Sequence, residues 1–108
     1  MKKYILVLFL FASSLIFSQI KMTGKVTDSL GTPLELANII LIDSESNSLE
    51  TFAMSDNQGM YKLNLLKNKN YNLQVSYIGM ATFFQKFKTG EDNIVKDFSL
   101  IPDNQLEA

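Results

Sequence analysis

The chain has 108 residues, enough for one domain, and contains no Cys, His, Trp or Arg. Without Cys or His it offers no zinc site of the usual nitrogen and sulfur kind, no thiol nucleophile and no His-based triad. All ten basic residues are Lys; setting aside Lys2 and Lys3, which open a leader, eight Lys face eleven Asp plus Glu, a formal charge of −3, so there is no basic field for nucleic acid and no bidentate guanidinium fork.

Met1, Lys2 and Lys3 precede an apolar run from Tyr4 to Leu10 that continues through Phe11, Ala12, Ser13, Ser14, Leu15, Ile16 and Phe17. A charged start, an apolar centre and a small-residue exit make a secretory signal peptide. A membrane span needs about 20 predominantly apolar residues, and this run is shorter and interrupted by Ser13 and Ser14. Cleavage is expected after Ser18 or Gln19, which gives a helical leader over 1–18, one domain over 19–100 and the start of a linker over 101–108. With no Cys after the run there is no sulfur to carry a lipoprotein's diacylglyceryl group, and no direct membrane insertion is expected once the leader is gone. The lack of Cys also leaves an exported domain without disulfides, so packed strands must hold it together.

From Ile20 the apolar period is two. Ile20, Met22, Gly24 and Val26 alternate with Lys21, Thr23, Lys25 and Thr27, as a strand with one buried face requires. Asp28, Ser29, Leu30, Gly31, Thr32 and Pro33 supply turn chemistry. In the second strand Ala37, Ile39 and Leu41 share one face while Ile40 and Ile42 fill the other, so both sides are apolar. A solvated loop over Asp43 to Ser48 leads to a third strand, Thr51 to Ser55, whose inward face stays open, since Phe52 and Met54 compete with Thr51, Ala53 and Ser55.

Asp56, Asn57, Gln58 and Gly59 make a tight turn before a fourth strand with Tyr61, Leu63 and Leu65 inward. After Lys67 to Asn70, Tyr71, Leu73, Val75 and Tyr77 interleave with Asn72, Gln74 and Ser76 as a fifth strand. Gly79 signals a bulge or bend, followed by a sixth strand from Ala81 to Lys88. A turn over Thr89 to Asp92 precedes a seventh in which Ile94, Phe98 and Leu100 point inward. Seven short strands with turn residues between them and no helical period after the leader predict an all-β fold, a Greek-key β-sandwich, with an open barrel as the alternative.

Four landmarks stand in order: Gly24, Lys25, Val26, Thr27, Asp28; Gly31, Thr32, Pro33, Leu34 with Ala37, Asn38, Ile39; Ser55, Asp56, Asn57, Gln58, Gly59, Met60, Tyr61; and Val75, Ser76, Tyr77, Ile78, Gly79. Together they resemble the carboxypeptidase regulatory-like domain, a transthyretin-like (prealbumin-like) sandwich, from Ile20 to about Leu100. Met80 departs from that pattern, where an aromatic often follows the Gly. The resemblance implies a non-catalytic accessory domain. In Bacteroidetes-type bacteria similar domains follow a signal peptide at the periplasmic N-terminus of TonB-dependent outer-membrane receptors, proteins of transport. It therefore implies localisation to the periplasm or outer membrane, with cell-envelope proteins or a downstream plug or barrel domain as partners. A free secreted or surface module that binds glycan or peptide is the alternative. The same fold class includes a hydrolase of purine breakdown that relies on His and Arg, and this chain has neither.

Three constellations could be read as sites. Asp56, Asn57 and Gly59 carry part of a calcium-loop pattern, but the later acidic ligand is missing and hairpin chemistry accounts for the residues. Tyr61, Tyr71, Tyr77, Phe83, Phe84 and Phe87 form either core or a platform for sugar or peptide, and parity singles out Phe84 as the one turned away from Phe83 and Phe87. Glu91 with Asp92, and Asp43 with Glu45, are acid pairs in solvated turns, where nothing raises a general acid's pKa. No catalytic, cofactor-binding or metal residue is assigned, and no cofactor is expected.

Overall fold

The structure, a computed structural model, describes residues 18–103; all of the expected leader but Ser18, and residues 104–108 of the tail, lie outside them. Eight strands run in chain order: β1 Gln19–Asp28, β2 Asn38–Asp43, β3 Leu49–Met54, β4 Met60–Leu66, β5 Asn70–Ser76, β6 Phe83–Lys88, β7 Ile94–Val95 and β8 Phe98–Leu100. They form two four-stranded sheets that pack face to face as a sandwich. In one, β4 pairs antiparallel with β1, and β7 and β8 pair parallel with it on the other side. The other has the order β3-β2-β5-β6 and is antiparallel throughout.

The alternation read from the sequence explains this arrangement. Along β1, Ile20, Met22, Gly24 and Val26 are buried, and along β5 Tyr71, Leu73 and Val75 are. Among the described residues, the core they build with Ile39, Leu41, Tyr61, Leu63, Leu65, Phe98 and Leu100 lies between Ile20 and Leu100, where burial of apolar surface drives the two sheets together. β3, whose face the sequence left open, turns Thr51 and Ala53 inward and leaves Phe52 and Met54 in solvent.

The count is eight strands where seven were expected, because the predicted final strand is cut in two. Thr23 pairs with Val95 and Val26 pairs with Phe98. Between them the Lys25 amide donates to the Asp97 carboxylate (2.9 Å) and not to the neighbouring main chain. There the Lys96 carbonyl sits over Gly24 and accepts from the Tyr61 hydroxyl (2.6 Å). The sixth strand also begins later than predicted. The Ala81 amide donates to Ile101 O (2.8 Å) and Met80 bridges to Pro102, which ties the chain before β6 to the tail. Gly79, at φ 79°, lies in a bend closed by Met80 N to Tyr77 O (3.0 Å). Among the described residues the one register shift inside a ladder is elsewhere, at Leu41/Ile42, where β3 has Glu50 in excess.

Two buried hydroxyls fasten the corners. Ser55 Oγ donates to Leu34 O (2.6 Å) and accepts from Ala37 N (2.9 Å), and Thr89 Oγ1 donates to Leu66 O (2.6 Å) and accepts from Lys69 N (2.9 Å). Each is 2% exposed, so water cannot replace the lost partner in an alanine variant. Ser55→Ala is expected to lower stability by about 2 kcal/mol, the penalty of buried groups left unsatisfied. A urea midpoint that falls at unchanged m-value checks this; an unmoved midpoint refutes it.

Candidate functional site

The acidic residues are used by the turns. Asp28 Oδ1 accepts from Leu30 N and Thr32 N, and Asp56 Oδ1 accepts from Gln58 N and Met60 N, all at 2.9 Å. In each turn the Asp amide bonds the carbonyl four residues on, and a Gly amide returns to the Asp carbonyl. These are two copies of one Asp-x-x-Gly device, in which a short carboxylate takes up amides the turn would leave unpaired. Asp56, Asn57 and Gly59 therefore form a capped turn that carries the chain from β3 in one sheet to β4 in the other. Among the described residues no cluster of three or more His, Cys, Asp or Glu has metal-holding geometry.

The structure brings neither predicted acid pair together as a pair. Asp43 Oδ1 accepts from the Glu45 amide (2.9 Å), while its Oδ2 meets Lys69 Nζ at 3.2 Å. Lys69 also reaches Glu50 Oε1 at 3.2 Å, using the residue that the β3 irregularity inserts. Glu91 accepts from Asn68 Nδ2 (2.7 Å) and lies 3.7 Å from Lys67 Nζ.

The Glu45 amide first, and then the Lys69 ammonium, hold the Asp43 carboxyl below its usual value of 3.8, against the opposing effect of burial. Burial lowers the Lys69 pKa, but hydrogen bonds to Asp43 and Glu50 outweigh it and the ammonium is raised. Asp43 is thus an ionised turn acceptor, the opposite of a general acid. Because its folded pKa is depressed, its contribution is present above the ordinary carboxylate range and is lost as pH falls through that range. Asp43→Asn, which keeps an oxygen for Glu45 N, is expected to flatten the acid limb of the stability profile. Urea midpoints measured from about pH 5 to about pH 2 check this, and parallel limbs for both proteins refute it.

Of the six aromatics, Tyr61 and Tyr71 are in the core, and Tyr77, Phe83 and Phe87 pack half-buried against it. Tyr61 and Phe83 flank Phe98 at 5.8 and 5.5 Å, and Tyr71 meets Phe87 at 6.0 Å. Burial raises the pKa of both core phenols. Phe84 alone is turned out, 66% exposed.

Phe84 has a counterpart that the sequence did not reveal, Phe52, 63% exposed. Phe52 pairs with Ile40, Ile40 with Gln74 and Gln74 with Phe84, so one row crosses the outer face of the β3-β2-β5-β6 sheet from aromatic to aromatic. Leu49, Met54 and the half-buried Ile42 extend this apolar face. The available signal was the double apolarity of β2, since Ile40 and Ile42 need apolar neighbours on the outer side.

At the rim of that face lies β6, which among the described residues is an edge strand paired only with β5. Its outward side chains are Phe84, Lys86 and Lys88, and its inward ones Phe83, Gln85 and Phe87. Neither Lys86 nor Lys88 meets a carboxylate among the described residues. Below the edge Lys96 Nζ donates to Gln85 Oε1 (3.0 Å) and stands 5.9 Å from the Phe87 ring centre.

A family model, that of the carboxypeptidase regulatory-like domain, matches residues 21–100. No curated protein matches the chain. Among solved structures it is similar to catechol 1,2-dioxygenase from Acinetobacter sp. ADP1 (TM-score 0.62, 11% identity, 79% of this chain and 53% of that one). It is likewise similar to catechol 1,2-dioxygenase from Pseudomonas arvilla C-1 (0.62, 12%, 79% and 52%) and to the Bacillus anthracis TIE protein (0.59, 17%, 78% and 17%). The chain spans about half the length of the dioxygenases and a smaller part of the third. At such identities the likeness is one of fold, the prealbumin-type sandwich, and carries no activity across.

Proposed function

As the chain belongs to the carboxypeptidase regulatory-like domain family over residues 21–100, we propose that it serves as a non-catalytic accessory module of the cell envelope. It is exported to the periplasm and acts as the N-terminal domain, or as a short relative of that domain, of a TonB-dependent outer-membrane receptor or β-barrel protein. The observation that carries this reading is where the polar groups go. The Asp28, Asp43 and Asp56 carboxylates accept turn amides, and the buried Ser55 and Thr89 hydroxyls close corners. Chemistry needs a polar group held free in a cleft, and these are all committed to the frame. What faces outward is an apolar sheet face and an open strand edge, features suited to contact. The leader read over residues 1–18 supports export, and a sandwich with no acylatable Cys supports attachment through other protein.

Fractionation of cells expressing the intact gene product tests the role. It is expected in the outer membrane, and a freely soluble product overturns the receptor assignment. The exposed Phe52 and Phe84 favour one further reading, a free module that binds glycan or peptide through this face. Binding on a glycan array, abolished by Phe52→Ala and Phe84→Ala, would replace the first reading with the second.

A further inference from the structure

The edge of β6 is directional in a way its exposure alone does not convey. In an antiparallel ladder hydrogen-bonded pairs recur at every second residue. The Thr89 amide donates to Lys69 O (2.9 Å), so Phe87, Gln85 and Phe83 turn their main-chain groups toward Tyr71, Leu73 and Val75 of β5. The far side of β5 agrees, because Ser44 N bonds Asn70 O (3.2 Å) and thereby commits Asn70, Asn72 and Gln74 to β2. The amides and carbonyls of Phe84, Lys86 and Lys88 consequently face away from the sheet, with no strand beyond them among the described residues.

Proteins usually blunt such an edge with a bulge, a Pro or a covering loop. β6 has no Pro and pairs with β5 through six consecutive residues without a register shift. Its charge is what remains. Among the described residues Lys86 and Lys88 on the outer face form no ion pair, and on the inner side the Lys96 ammonium bonds Gln85 and is set over Phe87. Three cations thus gather at one edge of a chain that carries more acid than base.

From this arrangement we infer that β6 is a strand-docking edge whose partner is an extended acidic peptide segment of another protein, with carboxylates at alternate positions. Added beside β6, the segment bonds the outward main-chain groups of Phe84, Lys86 and Lys88. One set of its side chains then stands over Lys86 and Lys88, where Asp or Glu is complementary, with an apolar residue beside Phe84. The other set falls beside the half-buried Phe83 and Phe87, where Val or Ile fits. A second copy of this chain is the poorer occupant: antiparallel pairing of β6 with itself about Lys86 sets that ammonium against its own copy, with nothing acidic on the strand to relieve it. The edge deepens the accessory role proposed above, and the two fail separately, since fractionation reads where the product resides and peptide titration reads what β6 accepts.

The test uses the chain from residue 19 onward, which contains every core residue among the described ones, and two synthetic eight-residue peptides, one alternating Glu with Val and one alternating Lys with Val. Amide chemical shifts are followed during titration. The expected result is binding of the Glu/Val peptide, with the largest shifts at Phe84, Lys86 and Lys88 and with the Lys/Val peptide at least tenfold weaker. The double variant Lys86→Glu, Lys88→Glu, both exposed positions, is expected to reverse that preference while keeping its dispersed spectrum. A Glu/Val peptide N-methylated on the residues that face β6 is expected to lose binding, which separates strand addition from plain charge attraction. No binding by either unmethylated peptide, equal binding by both, full binding by the methylated peptide, or shifts centred on Phe52 with none at the β6 amides would each overturn the proposal.

Discussion

Gly24→Ala is expected to be among the most destabilising single methyl additions in this protein, at about 3 kcal/mol or more. Gly24 is buried in the middle of β1, and a Cβ built there overlaps the Lys96 carbonyl oxygen, lies 2.6 Å from the Lys96 carbonyl carbon and lies 3.0 Å from Tyr61 Cε1. The obstacle is main chain, so no rotamer change relieves it. To admit the methyl, the link between β7 and β8 must lift away from β1. That movement strains Lys96 N to Thr23 O (2.9 Å), Tyr61 OH to Lys96 O (2.6 Å) and Lys25 N to Asp97 Oδ1 (2.9 Å) together. In a domain of this size the loss corresponds to a fall in Tm of roughly 12–24 °C. Thermal unfolding followed by circular dichroism measures it, and a fall of under about 5 °C would show that the link yields freely.

The second large effect comes from a pair of glycines that separates two causes. Gly31 and Gly59 occupy equivalent places in the two Asp-x-x-Gly turns, at φ 87° and 78°. Both conformations disfavour an L side chain, by about 1 kcal/mol for Ala. Around Gly31 there is open space, whereas a Cβ on Gly59 would lie 2.6 Å from Val26 O and 3.2 Å from Pro33 Cβ. Val26 O is itself fixed by Leu34 N (3.0 Å), and Val26 N by Gly59 O (2.8 Å). Gly31→Ala is therefore expected to lower stability by about 1 kcal/mol and Gly59→Ala by about 3 kcal/mol, since only the second adds collision with main chain. Urea midpoints for the two variants compare them directly. Equal losses would mean that backbone conformation alone decides both sites.

These contrasts mark what the sequence could reveal. Period-two burial in β1 and β5 was legible because each has one dry face and one wet one, and Met22, Tyr71 and Val75 fall where alternation puts them. The double apolarity of β2 was legible too, and so was the outward parity of Phe84. β3 was ambiguous because its apolar side chains, Phe52 and Met54, are the outward ones and its inward ones are Thr51 and Ala53, an inversion that hydrophobicity cannot detect. The break between β7 and β8 escaped notice because it depends on a side chain 72 residues away in sequence from the amide it serves, Asp97 from Lys25. For the same reason the free edge of β6 is a property of topology: alternation locates the strand, but only pairing shows which side of it is vacant.

One pairing bears on how the domain comes into being. Among the described residues β1 is completed on one side by β4 and on the other only by β7 and β8, the last of the described strands to be made. A chain that emerges N-terminus first therefore holds its opening strand with one bare side until almost all of the domain has followed. Contacts of such long sequence separation require a large loop to close before they return any stabilisation, which places the domain among slow, all-or-none folders. The β3-β2-β5-β6 sheet is complete once Lys88 has emerged, but the bare side of β1 is closed only when Leu100 is clear.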